Sequence, residues 1–307
     1  MSADATRDPQ ATRAHGMRMI NLAYALALGV AVLAGGLVAG WHPISVGLAA
    51  DVAATIAVFA FSFAFRNSSF YDPYWSVAPV PLLLYWAWDP GVADPVRRWV
   101  VIGLVFVWGC RLTFNWWRGW TGLDHEDWRY VDLQQQTGRA YWLVSFSGIH
   151  MFPTIQVFLG CLAVYPAVAL GSGRPFGALD VLALVVTAGA IAIEATADHQ
   201  LARFKHSNPE PGTTLTTGLW RYSRHPNYFG ELGFWWGLWL FGLAADAGWW
   251  WTVVGPLSMT AMFHFASLRM IETRMLERRS DYDRVIATTS RLVPMPPRPA
   301  PEPGSEA

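Results

Sequence analysis

The sequence predicts an all-α protein, a polytopic integral membrane bundle of about eight spanning helices, with seven as the alternative count. Of its 307 residues, 53% are hydrophobic and only 14% charged, too few charges to coat a soluble globule of this size. Apolar runs close to the ~20 residues a helix needs to cross a bilayer recur along the chain. Its basic residues gather in alternate loops, as cytoplasmic loops of membrane proteins do.

Residues 1–16 are polar and lack periodicity, which predicts a disordered cytoplasmic tail. The first span is expected over Met19–Trp41, where Gly36 and Gly40 form a GxxxG pattern that predicts close helix packing. The second, Ile44–Phe65, carries Asp51 in its outer half, a position equally open to a structural and a substrate-facing role. Ser76–Trp88 is short and interrupted by proline, and dropping it gives the count of seven. Trp99–Trp117, Tyr141–Leu170 and Gly177–Ala197 follow, and Tyr228–Ala245 pairs with Trp249–Ser267 across a short turn. Beyond them, Met270, Met275, Leu276 and Val285 are spaced for an interfacial or partner-packed helix. Residues 294–307 are proline-rich and predict a second disordered tail, leaving one membrane domain over 17–293. With the N-terminus inside, 18 of the 22 Lys and Arg fall on the cytoplasmic side; Arg97, Arg98 and Arg174 fall outside, and Arg111 lies in a span. Both termini are therefore expected in the cytoplasm.

The formal net charge of +0 provides no basic field for phosphate backbones, which excludes nucleic acid as a partner. Cys110 and Cys161 sit in apolar runs and read as small buried hydrophobes. The eight histidines are dispersed without HExxH or Cys/His spacing, so no metal site is expected. No GxGxxG follows a strand and no GxxxxGK[ST] occurs, so helices would have to hold any nucleotide. The first apolar run is longer than a signal-peptide core and is followed by further spans, so a cleaved leader is not expected.

Polar groups at membrane depth are costly, and here they converge on the cytoplasmic leaflet: Arg111 and Asn115, Glu194 and Asp198, and Glu231. The segments "YDPYW", "DHEDWRY", "DHQLARFKH" and "RYSRHPNY" flank them. Taken singly, Asn227 reads as a helix cap, His225 as a loop residue fixed by Pro226, and the arginines as topology signals. Together, a helix N-terminus near Asn227 ringed by Arg221, Arg224 and Lys205 predicts an anionic ligand.

At "GLWRYSRHPNYFGE" the chain resembles the steroid 5α-reductase superfamily, and in particular its bacterial membrane branch of unknown function. "NSSFYDPYW", "WGCRLTFNWW" with "EDWRY", "EATADHQLARFK" and "MLERRSDYDRVIATTSRLVPMPP" carry the likeness in the same order, over roughly residues 55–296. The resemblance implies an enzyme of the bacterial inner membrane that takes NADPH from the cytosol and adds hydride to a conjugated C=C bond of an apolar, steroid- or lipid-like substrate drawn from the bilayer. It implies cofactor contacts from residues 177–293: Gln200, Lys205, Trp220, Arg224, His225, Asn227, Tyr228 and Glu231, then Glu272 and Tyr282, to which the basic cluster adds Arg221. Asp72 and Tyr74 are the nearest candidates for polarising the substrate. "RHPNY" also resembles the isoprenylcysteine carboxyl methyltransferases, which leaves an S-adenosylmethionine-dependent lipid methyltransferase as one alternative and a non-catalytic lipid-binding membrane protein as another. The basic cluster favours NADPH, whose phosphates demand more cation than the adenosylmethionine zwitterion does.

Overall fold

The computed structural model describes residues 9–88, 93–171 and 174–299. These are helical, with no strand among the described residues, and form two compact units, Met1–Gly173 and Arg174–Ala307.

The first unit opens with α1 (Pro9–Leu37) and α2 (Pro43–Phe65), which pack side by side. Helix α1 takes in residues 9–16, the last eight of the expected tail, and residues 1–8 lie outside the described range. His42 turns the chain into α2, its Nδ1 accepting from Ile44 N at 3.2 Å with Pro43 at the first helical position. Arg66, at φ 52°, ends α2 in the left-handed conformation. A short 3-10 turn, Ser68–Phe70, leads to α3 (Tyr74–Val77) and α4 (Pro79–Trp86). Helix α5 (Pro95–Gly119) follows, capped by Asp94, then α6 (Trp128–Thr137) and α7 (Tyr141–Val144). A π-helical segment, Ser145–Met151, runs directly into α8 (Phe152–Leu162), and α9 (Tyr165–Ala169) ends the unit. Its core joins Ile20, Ala23 and Ala27 of α1 to Ala54 and Val58 of α2, over Phe70, Tyr71, Tyr74 and Trp120.

In the second unit, α10 (Ala178–His206) and α11 (Pro226–Ala245) lie along one another. A nearly continuous helical run follows: a 3-10 segment Ala247–Val253, α12 (Val254–Met262), a π-helical segment Phe263–Ser267 and α13 (Leu268–Arg278); α14 (Tyr282–Thr288) comes last. The expected eighth span and the expected interfacial helix are therefore joined without a break. Residues 294–299, assigned to a tail, are held here: Met295 N donates to Tyr222 O at 2.9 Å and Arg298 N to Thr288 O at 2.8 Å.

Five helical stretches are long and apolar enough to cross a membrane: Thr12–Leu37, Pro43–Phe65, Pro95–Gly119, Trp128–Leu162 and Ala178–His206. Large apolar side chains face outward along them, Leu33 and Leu37 being 70% and 88% exposed, as a lipid-facing surface requires. The fold is a polytopic helical bundle. The expected third span is instead two short helices divided at Pro79, because proline removes a helical donor and clashes with the preceding turn. Helix α11 has the length, but its tryptophans, glycines and Glu231 dilute its apolar content.

The close helix contact also lies elsewhere than expected. A Cβ on Gly36 or Gly40 would meet nothing within 4 Å. On α11, by contrast, a Cβ on Gly230 would come 2.7 Å from Ala190 O, one on Gly233 3.0 Å from the Ala190 Cβ, and one on Gly237 would overlap the Thr187 hydroxyl. The small-residue stripe that lets two backbones approach is therefore Gly230–Gly233–Gly237.

Candidate functional site

The second unit assembles a cluster around Glu272 of α13. Its Oε1 lies 2.9 Å from Arg224 Nη2 and accepts from His225 Nε2 at 3.2 Å, and its Oε2 lies 3.0 Å from Arg291 Nε. A carboxylate only accepts, so Nε2 of His225 carries the proton. Burial pushes the Glu272 carboxyl up, but the His225 hydrogen bond and the two guanidiniums outweigh it and hold it below the usual carboxylate range. Burial moves His225 the other way, below its ordinary value against the pull of Glu272, so it is neutral at pH 7. Burial raises the Tyr282 hydroxyl to about 12.

The same segment is tied down by the end of the chain. Arg224 N donates to Ser290 O at 2.8 Å, Arg224 Nη1 to Ile286 O at 3.1 Å, and Ser223 Oγ to Leu292 O at 2.7 Å. Asn227 is not the cap of α11: the helix starts at Pro226, His225 holds the cap position without a side-chain bond, and Asn227 Nδ2 donates to Asp198 Oδ1 at 3.3 Å. The Asn227 Oδ1 is buried without a partner. Gln200 Oε1 accepts from Leu219 N at 2.9 Å and Trp220 Nε1 donates to Ala197 O at 3.1 Å, so these two fix the turn before "RHPNY". Tyr228 packs edge-on against His225 and Phe263. Glu231, buried, accepts from Trp235 Nε1 at 2.8 Å. Lys205 and Arg221 are exposed and stand apart from the Glu272 cluster.

The first unit holds a polar network within its apolar interior. Tyr74 donates its hydroxyl to Asp51 Oδ1 at 2.9 Å, both residues being buried. Thr154 Oγ1 donates to His150 O, so its lone pairs must accept from Tyr71 and Thr55, each at 2.8 Å. His150, fully buried in the π-helical segment, has Nδ1 3.0 Å from Ser145 O and therefore protonated, which leaves Nε2 to accept from Ser62 Oγ at 2.9 Å. Asp72 does not join this network: it accepts from the Tyr130 hydroxyl at 2.6 Å, and burial pushes its carboxyl up to about 6. Asn67 and Ser68 bind the following loop, Asn67 Nδ2 through Leu123 O and Ser68 N through Glu126 Oε1. Much of "NSSFYDPYW" is thus committed to fixing the segment that precedes α6.

Sequence reasoning missed Arg291, Thr55 and Thr154, none of which is unusual in its local context, and did not single out Tyr71 and Tyr130 within "YDPYW" and "DHEDWRY". Asp51 was flagged by its depth in an apolar run, and its partner Tyr74 by the "YDPYW" motif, but nothing in the sequence joined the two. No group of three or more His, Cys, Asp or Glu able to hold a metal occurs among the described residues.

A family described as "Protein of unknown function (DUF1295)" matches residues 58–289. The chain belongs to this family. The DUF1295 match contains every sequence-derived site residue from Asp72 to Tyr282, whereas Asp51 and Arg291 fall outside it. The chain is also similar to the uncharacterized protein C594.04c of Schizosaccharomyces pombe, 29% identical over 236 residues that cover 69% of this chain and 68% of the yeast protein. No solved structure matches it.

Proposed function

We propose that this DUF1295 protein is a membrane-embedded, NADPH-dependent reductase that adds hydride to a conjugated C=C bond of an apolar, steroid- or lipid-like substrate. The resemblance to the steroid 5α-reductase superfamily supports this reading, and the Tyr74–Asp51 pair carries it. A phenol held 2.9 Å from a carboxyl inside an apolar bundle is costly to bury and suited to polarising a substrate carbonyl. NADPH, when bound, supplies the hydride to the β-carbon of the enone. With substrate bound, the Tyr74 O–H would turn from Asp51 to the carbonyl oxygen and stabilise the enolate as it forms, with the Asp51 carboxyl, protonated, donating to the phenol oxygen in return. The α-carbon is then protonated by this hydroxyl or by water. Asp72, bonded to Tyr130, takes a positioning role in this scheme.

The second unit has the groups a dinucleotide needs. Arg224 Nε and Asn227 Oδ1 are buried without partners, and Arg221 and Lys205 meet no carboxylate among the described residues. On the eight-span topology expected from the basic residues, these groups would lie on the side of the membrane that holds NADPH. Calorimetric titration of the purified protein in detergent tests the reading: NADPH should bind and be oxidised when an apolar enone is added. Tighter binding of S-adenosylmethionine than of NADPH would overturn it in favour of methyl transfer.

A further inference from the structure

We infer that the groove beside Gly218 is a phosphate-monoester site read by Arg221. On the reductase reading, on which this identification of the ligand rests, it takes the 2'-phosphate of NADPH. The groove, about 390 Å³, lies within the second unit and is lined by Thr216, Thr217, Gly218, Arg221, Thr288, Thr289 and Pro297. That volume is at the low end of small-molecule sites, roughly 300–1,000 Å³, and suits part of a nucleotide rather than all of it.

Its chemistry selects an anion. No acidic residue lines it, and the Arg221 guanidinium lies over the Tyr222 ring with no carboxylate partner among the described residues. The Thr216 and Thr217 hydroxyls have no hydrogen-bond partner among those residues, whereas the Thr288 hydroxyl is spent on Arg284 O. A guanidinium and free hydroxyls are the donors a phosphate dianion accepts from.

The floor is fixed by the backbone. Gly218 has φ +62°, and a Cβ there would fall 2.6 Å from the Gln200 amide, so glycine is required. Gln200 holds the next residue, Leu219, through its N–H, which sets the 3-10 turn Gly218–Arg221 and presents Arg221 to the groove. Of the three cations expected near this helix end, neither Arg224, whose Nη groups are held by Glu272 and Ile286 O, nor Lys205 lines the groove. The 2'-phosphate therefore falls to Arg221.

The test compares NADPH and NADH binding to the full-length protein in detergent, for wild type and Arg221→Gln. Loss of a charge-assisted contact should weaken NADPH roughly ten- to hundredfold and leave NADH unchanged. Equal weakening of both nucleotides, or of neither, would overturn the assignment. Thr217→Val, which removes no charge, should give a smaller loss confined to NADPH, and a loss shared with NADH would also count against the assignment. Should wild type bind neither nucleotide, the reductase reading fails, and inorganic phosphate and phosphatidic acid vesicles decide the groove by themselves. Binding of either that Arg221→Gln abolishes supports a phosphate site and identifies its source; binding that survives the substitution, or no binding at all, removes it.

Discussion

Arg224 Nη2 lies 2.9 Å from Glu272 Oε1, which joins the "RHPNY" segment to a helix almost fifty residues later by a largely buried ion pair. Both side chains are mostly out of solvent, so breaking the pair leaves charge without compensation. Glu272→Gln should destabilise the protein by about 3 kcal/mol, the low end for a buried pair whose partner stays charged. Because the folded-state carboxyl is depressed, its stabilisation is present above the usual value of 4.5 and is lost as pH falls through the folded value. Melting curves of wild type and variant should therefore differ at pH 7 and converge in acid. A gap that stays constant as the pH falls below the usual carboxylate range would contradict the ion-pair account.

The contrast between Gly237 and Gly36 gives a control for helix packing. Gly237→Ala places a methyl against the Thr187 hydroxyl and the α10 backbone, so the helices must part, at ~1–3 kcal/mol. Gly36→Ala meets open space and gains ~0.5–1 kcal/mol from the lower backbone entropy of the unfolded chain. Thermal unfolding in detergent should thus move in opposite directions for the two variants.

These glycines also show what the sequence could and could not disclose. The apolar runs marked most spans, since length and hydropathy are properties of a single segment. A GxxxG pattern gives the spacing of small residues but not whether a partner helix faces them, so Gly36 and Gly40 were indistinguishable from Gly233 and Gly237. The polar residues of "RHPNY" stood out because they are contiguous, and Asp198 by its depth, while Arg291 was missed because its pairing with Glu272 is made across the fold. Proline is equally ambiguous at the start of a helix and within one: Pro226 opens α11, whereas Pro79 divides the expected third span.

Asp72 offers a pH test. Its carboxyl is raised from 3.8 to about 6, so the folded state binds the proton more tightly than the unfolded chain. Stability from this group is complete below the unfolded value and is lost as pH rises through about 6. Asp72→Asn keeps an acceptor for the Tyr130 hydroxyl and removes the ionisation. At pH 8 it should be more stable than wild type, by up to about 3 kcal/mol and less where water reaches the group, with the difference vanishing near pH 4. A pH-independent difference would show that another interaction dominates.

Asn227 separates a fold-organising role from a ligand-binding one. Its amide nitrogen is engaged by Asp198 at 3.3 Å, while its oxygen is buried and unpartnered. Asn227→Asp sets a second carboxylate against Asp198 in place of an amide donor, and the like charges should make the variant less stable than wild type. Asn227→Ser removes the amide without adding charge and should cost only ~1 kcal/mol of stability. If the orphan oxygen meets bound cofactor, the serine variant also loses about tenfold in NADPH affinity while remaining folded. An NADPH affinity equal to wild type in folded Asn227→Ser would show that Asn227 serves only to hold α11 against α10, and the search for the cofactor's contacts would move from this helix end to the groove at Arg221.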